Sequence, residues 1–158
     1  MSSIFVVSHH TRGEIGQLLA DLEAWCTKHG HHLWMLPSDA NARGFQHLAS
    51  ERAAMDADIV LSLGGDGTVL RAVHLLDGAP VPILGVNVGT LGYLTEIEPS
   101  ECIASLQRWV DGREDKDFII DKRMMLSVLL KRADGSTDLS WRALNEAVLE
   151  KQQSGHTV

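Results

Sequence analysis

The chain has 158 residues, 44% hydrophobic and 22% charged, with a formal net charge of −7. That is enough for an ordinary globular domain, and the acidic balance excludes a strongly basic nucleic-acid surface. Cys26 and Cys102 lie far apart, with neither metal-ligand spacing nor a disulfide framework. The start, Met1-Ser-Ser-Ile-Phe, lacks the basic region of a signal peptide, and no apolar run approaches the roughly 18 residues of a membrane span. A soluble, cytoplasmic protein in a reducing compartment is expected.

Ile4 to Val7 predicts a first strand. Arg12 to Lys28 predicts a helix, because Ile15, Leu18, Leu19, Leu22, Trp25 and Cys26 fall on one helical face; Gly30 stops it. His32 to Leu36 reads as a second strand, closed by Pro37, and the polar run Ser38 to Gly44 as a loop. Phe45 to Met55 reads as a weaker helix with Leu48 and Met55 inward. His29, His31 and His32 invite a metal, but neighbouring histidines before a strand cannot all face one ion, and no Cys or carboxylate completes a set.

An apolar run, Ile59 to Leu63, then ends in Gly64-Gly65-Asp66-Gly67-Thr68, and a helical pattern, Val69 to Leu76, follows at once. Strand, glycine turn, helix is the order that lets backbone approach a ligand closely and aims helix N–H groups at phosphate. Gly64, Gly65, Gly67 and Thr68 are therefore the phosphate-binding candidates. Asp66 is out of place in such a cradle unless a metal ion bridges it or it takes a proton, so phosphoryl chemistry is expected. The rival reading is a tight turn with an exposed Asp. Arg71, one turn into the helix, is either a phosphate ligand or a solvated surface arginine.

Val81 to Val86 predicts a further strand, and Gly85, Gly89 and Gly92 punctuate the segment after it. The repeated strand–helix order predicts an α/β fold, a Rossmann-like, mostly parallel sheet with helices on both faces, right-handed in its connections. Ligands bind beyond the carboxyl ends of such strands, where Gly64–Thr68 and Gly85–Thr95 could line one crevice. Pro99-Ser100 opens another helix, with Ile103, Leu106, Trp109 and Val110 on one side. After a charged linker the period changes to two: Met124 to Leu130 and Leu139 to Asn145 alternate around a turn at Ala133 to Thr137. That is an antiparallel hairpin. The domains expected are therefore 1–116, an α/β nucleotide-binding unit, and 117–158, the start of a β-rich substrate domain. Trp25, Trp34, Trp109 and Trp141 are expected in the core, and Cys26 as packing rather than nucleophile.

Three blocks give the chain a likeness. Gly64-Gly-Asp-Gly-Thr68 alone also occurs in lipid kinases and phosphofructokinases. Together with Gly85-Val-Asn-Val-Gly-Thr-Leu-Gly-Tyr-Leu-Thr95 and Asn145-Glu146 at the end of the hairpin, it resembles the NAD kinases over essentially the whole chain. The likeness is to the N-terminal portion: a later glycine- and threonine-containing stretch of the family is absent. The chain is therefore expected to be a fragment, with little or no activity alone.

The resemblance implies transfer of a phosphoryl group from ATP, or polyphosphate, with Mg²⁺, to the 2′-hydroxyl of the adenosine ribose of NAD, giving NADP. It implies Asp66 as proton acceptor, Gly67 as a backbone contact to NAD, and Asn145 and Glu146 as the NAD-contacting pair. An amide and a carboxylate can together donate to and accept from ribose hydroxyls. His156 stands where the family often places a basic residue near substrate. Tyr93, often phenylalanine in relatives, either stacks on adenine or packs in the core. Homo-oligomers are usual in the family. The rivals are a lipid kinase of the same superfamily, against which the second and third blocks argue, and a non-catalytic nucleotide-binding remnant.

Overall fold

The structure, a computed structural model, describes residues 1–9, 15–89, 92–132, 134–136 and 138–148. The chain divides into two compact units, Met1–Asp121 and Lys122–Val158.

In the first unit, four parallel strands form one sheet: β1 (Ser3–Ser8), β2 (His32–Met35), β3 (Ile59–Gly64) and β4 (Ile83–Asn87), in the order β2-β1-β3-β4. Helices α1 (Ile15–His29), α2 (Pro37–Arg43), α3 (Asp66–Leu76) and α4 (Cys102–Asp111) connect and cover them. β1 and β3 are buried over nearly their whole lengths, as strands covered on both faces must be.

Alternate residues serve opposite faces. Ile4, Val6, Leu61 and Leu63 join Leu19 and Leu22 of α1 and Leu106 of α4 in one core cluster. Phe5, Val7 and Val60 join Trp34 and, from α3, Ala72 and Leu76 in the other. Trp25 Nε1–H donates to Gln107 Oε1 at 3.1 Å, tying α1 to α4. Burial pushes the Cys26 thiol up to about 11, helped by Glu23, and Cys102 to about 12, so both are packing thiols. The histidines are spent on aromatic packing: His29 and His31 stack on Trp25, and His32 lies against Trp34.

Two sequence readings fail in this unit. Residues 38–44 are not a loop: Pro37 opens α2, Asp39 sits in its first turn, Arg43 in its last, and Gly44 closes it with a left-handed φ of 76°. Seven residues whose only apolar side chains are small, Pro37, Ala40 and Ala42, give no clear apolar periodicity, so only the end signals could have marked the helix. Residues 45–55 are not one helix but two short 3-10 turns, Gln46–Leu48 and Ala54–Asp56. Leu48 is buried, yet Met55 is 56% exposed, because a turn of three residues cannot sustain a buried face across the gap.

The second unit contains β5 (Leu126–Leu130) paired antiparallel with β6 (Leu139–Ala143). Trp141, read as core, is 50% exposed, and Leu126, Leu129 and Leu130 are exposed too. A two-stranded ribbon has two open faces, and no described helix or further strand of this unit covers either.

Candidate functional site

The strand order reverses around β1 and β3, whose carboxyl ends lie side by side: Ser8 pairs with Leu63. This is the switch point at which open α/β sheets bind ligands. β3 runs directly into the glycine turn. Gly65 is the extended N-cap of α3, with no side chain capping it.

The five residues of the turn divide sharply. A Cβ at Gly64 would collide with the Thr68 hydroxyl and press on His9, so Gly64 is required by the protein's own packing. Thr68 is buried and gives its N–H to the Gly65 carbonyl at 2.9 Å. A Cβ at Gly65 or Gly67 would meet nothing within 4 Å. Among the four phosphate-binding candidates, then, Gly65 and Gly67 face open space, while Gly64 and Thr68 face inward.

The second block meets the first here. A Cβ at Gly85 of β4 would lie 2.9 Å from the Leu94 carbonyl oxygen; its absence lets the chain fold back over β4. The Glu96 and Ile97 N–H groups then donate to the Gly85 carbonyl, and Asn87 N–H to Ile97. That return delivers two backbone donors to Asp66. Tyr93 N–H reaches Oδ2 and Leu94 N–H reaches Oδ1, each at 2.9 Å. The Tyr93 and Leu94 N–H groups hold the Asp66 carboxyl below its ordinary value against some desolvation, with Thr95 N–H adding to them. The carboxylate in the glycine cradle therefore has a third solution, beyond a metal or a proton: hydrogen bonding to its charged form. A Cβ at Gly92 would strike Asp66 Oδ1, so Gly92 leaves the carboxylate its place.

Arg71 is not a freely solvated surface arginine. It makes a two-pronged ion pair with Asp39 of α2, Nη1 to Oδ2 at 2.8 Å and Nη2 to Oδ1 at 2.7 Å. Asp39 is wholly buried and also accepts Ser8 N–H at 3.1 Å. This pair, which joins the ends of β1, α2 and α3, escaped the sequence reading because Asp39 lay in a supposed loop. Tyr93, at 96% exposed, is not core. Ser8 Oγ, Asn87 Oδ1 and Thr95 Oγ1, all at this end of the sheet, are buried and have no hydrogen-bond partner among the described residues.

Asn145 and Glu146 are exposed and follow β6 in the second unit. His156 lies outside the described residues. Among the described residues no group of three His, Cys, Asp or Glu side chains could hold a metal ion. Nor is any described helix long and apolar enough to cross a membrane.

Comparison with known proteins agrees with this geometry. The sequence model of the ATP-NAD kinase N-terminal domain matches residues 5–114. An NAD kinase of Syntrophobacter fumaroxidans is 33% identical over 151 residues, which cover 96% of this chain and 52% of the relative. One of Citrifermentans bemidjiense is 43% identical over 102 residues, covering 65% and 34%. Yeast NADH kinase, solved with NADH, shares the fold at a TM-score of 0.74 and 19% identity, over 92% of this chain and 47% of that one. The chain thus spans about half, or less, of the length of these relatives. It belongs to the NAD kinase family.

Proposed function

We propose that the protein phosphorylates the 2′-hydroxyl of the adenosine ribose of NAD, with ATP or polyphosphate as donor, as a phosphotransferase with an alcohol acceptor. The observation that carries this reading is the pairing of one ionised carboxylate, Asp66, with two glycines, Gly65 and Gly67, that no protein packing demands. Open glycines beside a helix N-terminus admit a phosphorylated ligand to the backbone.

The chemistry asked of Asp66 is modest. As the ribose oxygen bonds to the terminal phosphorus of the donor, the bond from that phosphorus to the leaving phosphate oxygen breaks. The hydroxyl proton passes to an Asp66 oxygen. A depressed pKa makes Asp66 a weak base, ready in its ionised form at neutral pH. It takes the proton late, when bonding to phosphorus has made the hydroxyl acidic, and most of the acceleration comes from positioning and charge neutralisation. The described side chains build no metal cage, so a divalent cation would be carried chiefly by the donor's phosphates, its usual partners. Tyr93, whose backbone N–H holds Asp66, offers an exposed ring for a base to stack on. Asn145 and Glu146 are the second unit's candidates for contact with ribose hydroxyls, and His156 its candidate cation. Reducing intracellular surroundings and a homo-oligomer belong to the same proposal.

The test is formation of NADP from NAD, ATP and Mg²⁺ by the full-length protein. Phosphorylation of sphingosine or diacylglycerol, and not of NAD, would replace this reading with the lipid kinase. Gly67→Ala sharpens the test. Alanine at an open helical position should leave the unfolding free energy unchanged or slightly raised, by at most about 1 kcal/mol. It should cut NADP formation at least about tenfold, because a methyl group then stands where the ligand's approach must be close. An unchanged rate in Gly67→Ala removes the backbone contact from the mechanism.

A further inference from the structure

Asp66 is tied to the segment that follows β4 more firmly than a substrate-facing carboxylate needs to be. Both oxygens are engaged, one by Tyr93 N–H and one by Leu94 N–H, and Gly92 is kept free of a side chain that would displace them. The next two residues are held differently: Glu96 and Ile97 N–H groups donate to the Gly85 carbonyl. Residues 96–97 are thus pinned to β4 by backbone hydrogen bonds, with Ile97 also packed against the core, while the Tyr93 and Leu94 N–H groups are held by one side-chain charge.

We propose that Asp66 is a proton-sensitive latch on residues 92–95: its ionised carboxylate holds the Tyr93 and Leu94 N–H groups, and proton uptake releases them. The physical reason is that a carboxylate accepts at both oxygens, whereas a carboxylic acid turns one of them into a donor. Hydrogen bonds to an ionised acceptor are also about twice as strong as neutral ones. The place of this latch in a reaction cycle rests on the reading of Asp66 as proton acceptor. The proton that leaves the ribose hydroxyl is then the trigger, and the backbone carrying the exposed Tyr93 ring loosens after phosphoryl transfer, when product must depart. Gly92 becomes a positioning residue, acting through Asp66.

The charged groups on the elements around the turn are Arg71, paired with Asp39, His74 further along α3, His9 after β1, and Glu96 and Glu98 after the segment. The causes that set the Asp66 carboxyl are backbone N–H groups and desolvation, with no charged neighbour among them.

Amide hydrogen exchange on the ligand-free 158-residue chain tests the latch without any activity. Asp66→Asn places an amide donor where an oxygen accepted, and Gly92→Ala pushes the carboxylate aside. At neutral pH both should speed exchange at Tyr93 and Leu94 by about tenfold or more, leaving Val6 and Leu61 in the sheet protected. In the unaltered chain, protection at Tyr93 and Leu94 should vanish only as pH falls below the ordinary carboxylate range. Unchanged exchange in the variants would overturn the latch. So would loss spread evenly over the sheet, or a transition in the histidine range, which would assign the switch to another group. If NADP formation requires Asp66 but exchange at 93 and 94 does not, the latch falls and the kinase reading stands. If exchange behaves as stated and NAD is never phosphorylated, the latch survives without that reading.

Discussion

Asp66→Ala and Asp66→Asn lower NADP formation by the full-length protein by about 10²- to 10⁴-fold, the range expected when a positioned proton acceptor is removed. The loss falls mainly on kcat, because the proton moves only in the transition state. Asn keeps the shape of Asp and cannot take the proton, so the two variants should be similarly slow. A near-normal rate in Asp66→Asn would end the acceptor assignment and leave Asp66 as a purely structural anchor.

The pH profile gives an independent check, with its sign set by the geometry. Tyr93 and Leu94 N–H groups lower the Asp66 pKa, so the base form persists below the ordinary carboxylate value of about 3.9. An acid limb due to Asp66 therefore lies below that value. Any limb observed between about pH 5 and 8 belongs to another group. By linkage, the stabilisation from these hydrogen bonds is fully present above the ordinary carboxylate pKa. It is lost as pH falls through the lowered folded-state value.

The second large effect is on stability. Arg71→Ala removes the two-pronged partner of the wholly buried Asp39, leaving it only the neighbouring charge of Arg43. Breaking a buried pair by removing one partner costs about 3–5 kcal/mol. The Arg71 side chain is 32% exposed, which lets water compensate in part, so a loss of about 3 kcal/mol is expected, or a melting-temperature drop on the order of 10 °C. Arg71→Met combined with Asp39→Asn should recover at least half of that. The double variant removes both charges of this pair, and its Asn oxygen still accepts Ser8 N–H. Urea unfolding of both variants measures the difference. If Arg71→Ala lies within about 0.5 kcal/mol of the parent, the pair behaves as an ordinary surface ion pair and does not hold the ends of β1, α2 and α3 together.

These two residues show where local reading stopped. Asp66 was visible as a carboxylate in a glycine turn, and its neighbourhood as a strand passing into a helix. What satisfied its charge was not visible, since the donors sit 27 and 28 residues further on. They arrive only because Gly85 admits the returning chain. Arg71 was visible as a cation one turn into α3, with two readings open. Neither reading held its partner, because Asp39 lies 32 residues earlier in a helix too short to announce itself. Met55 and Trp141 failed in the opposite direction: both are apolar, but burial needs a covering element, and no described element of their own unit buries either.

By itself the sequence determined whatever depends on near neighbours. Apolar runs made β1 and β3 strands buried on both faces, a one-sided stripe made α1, alternation made the β5–β6 hairpin, and the three motif blocks carried the family likeness. The tertiary structure decided what depends on strand order. Setting β1 beside β3 and folding residues 92–97 back over β4 brought Asp66, Gly92 and the Tyr93–Leu94 amides into one cluster. It also closed Arg71 onto Asp39. Periodicity is a property of consecutive residues. Which distant donor meets which carboxylate is fixed only when the sheet order β2-β1-β3-β4 brings their chain segments together.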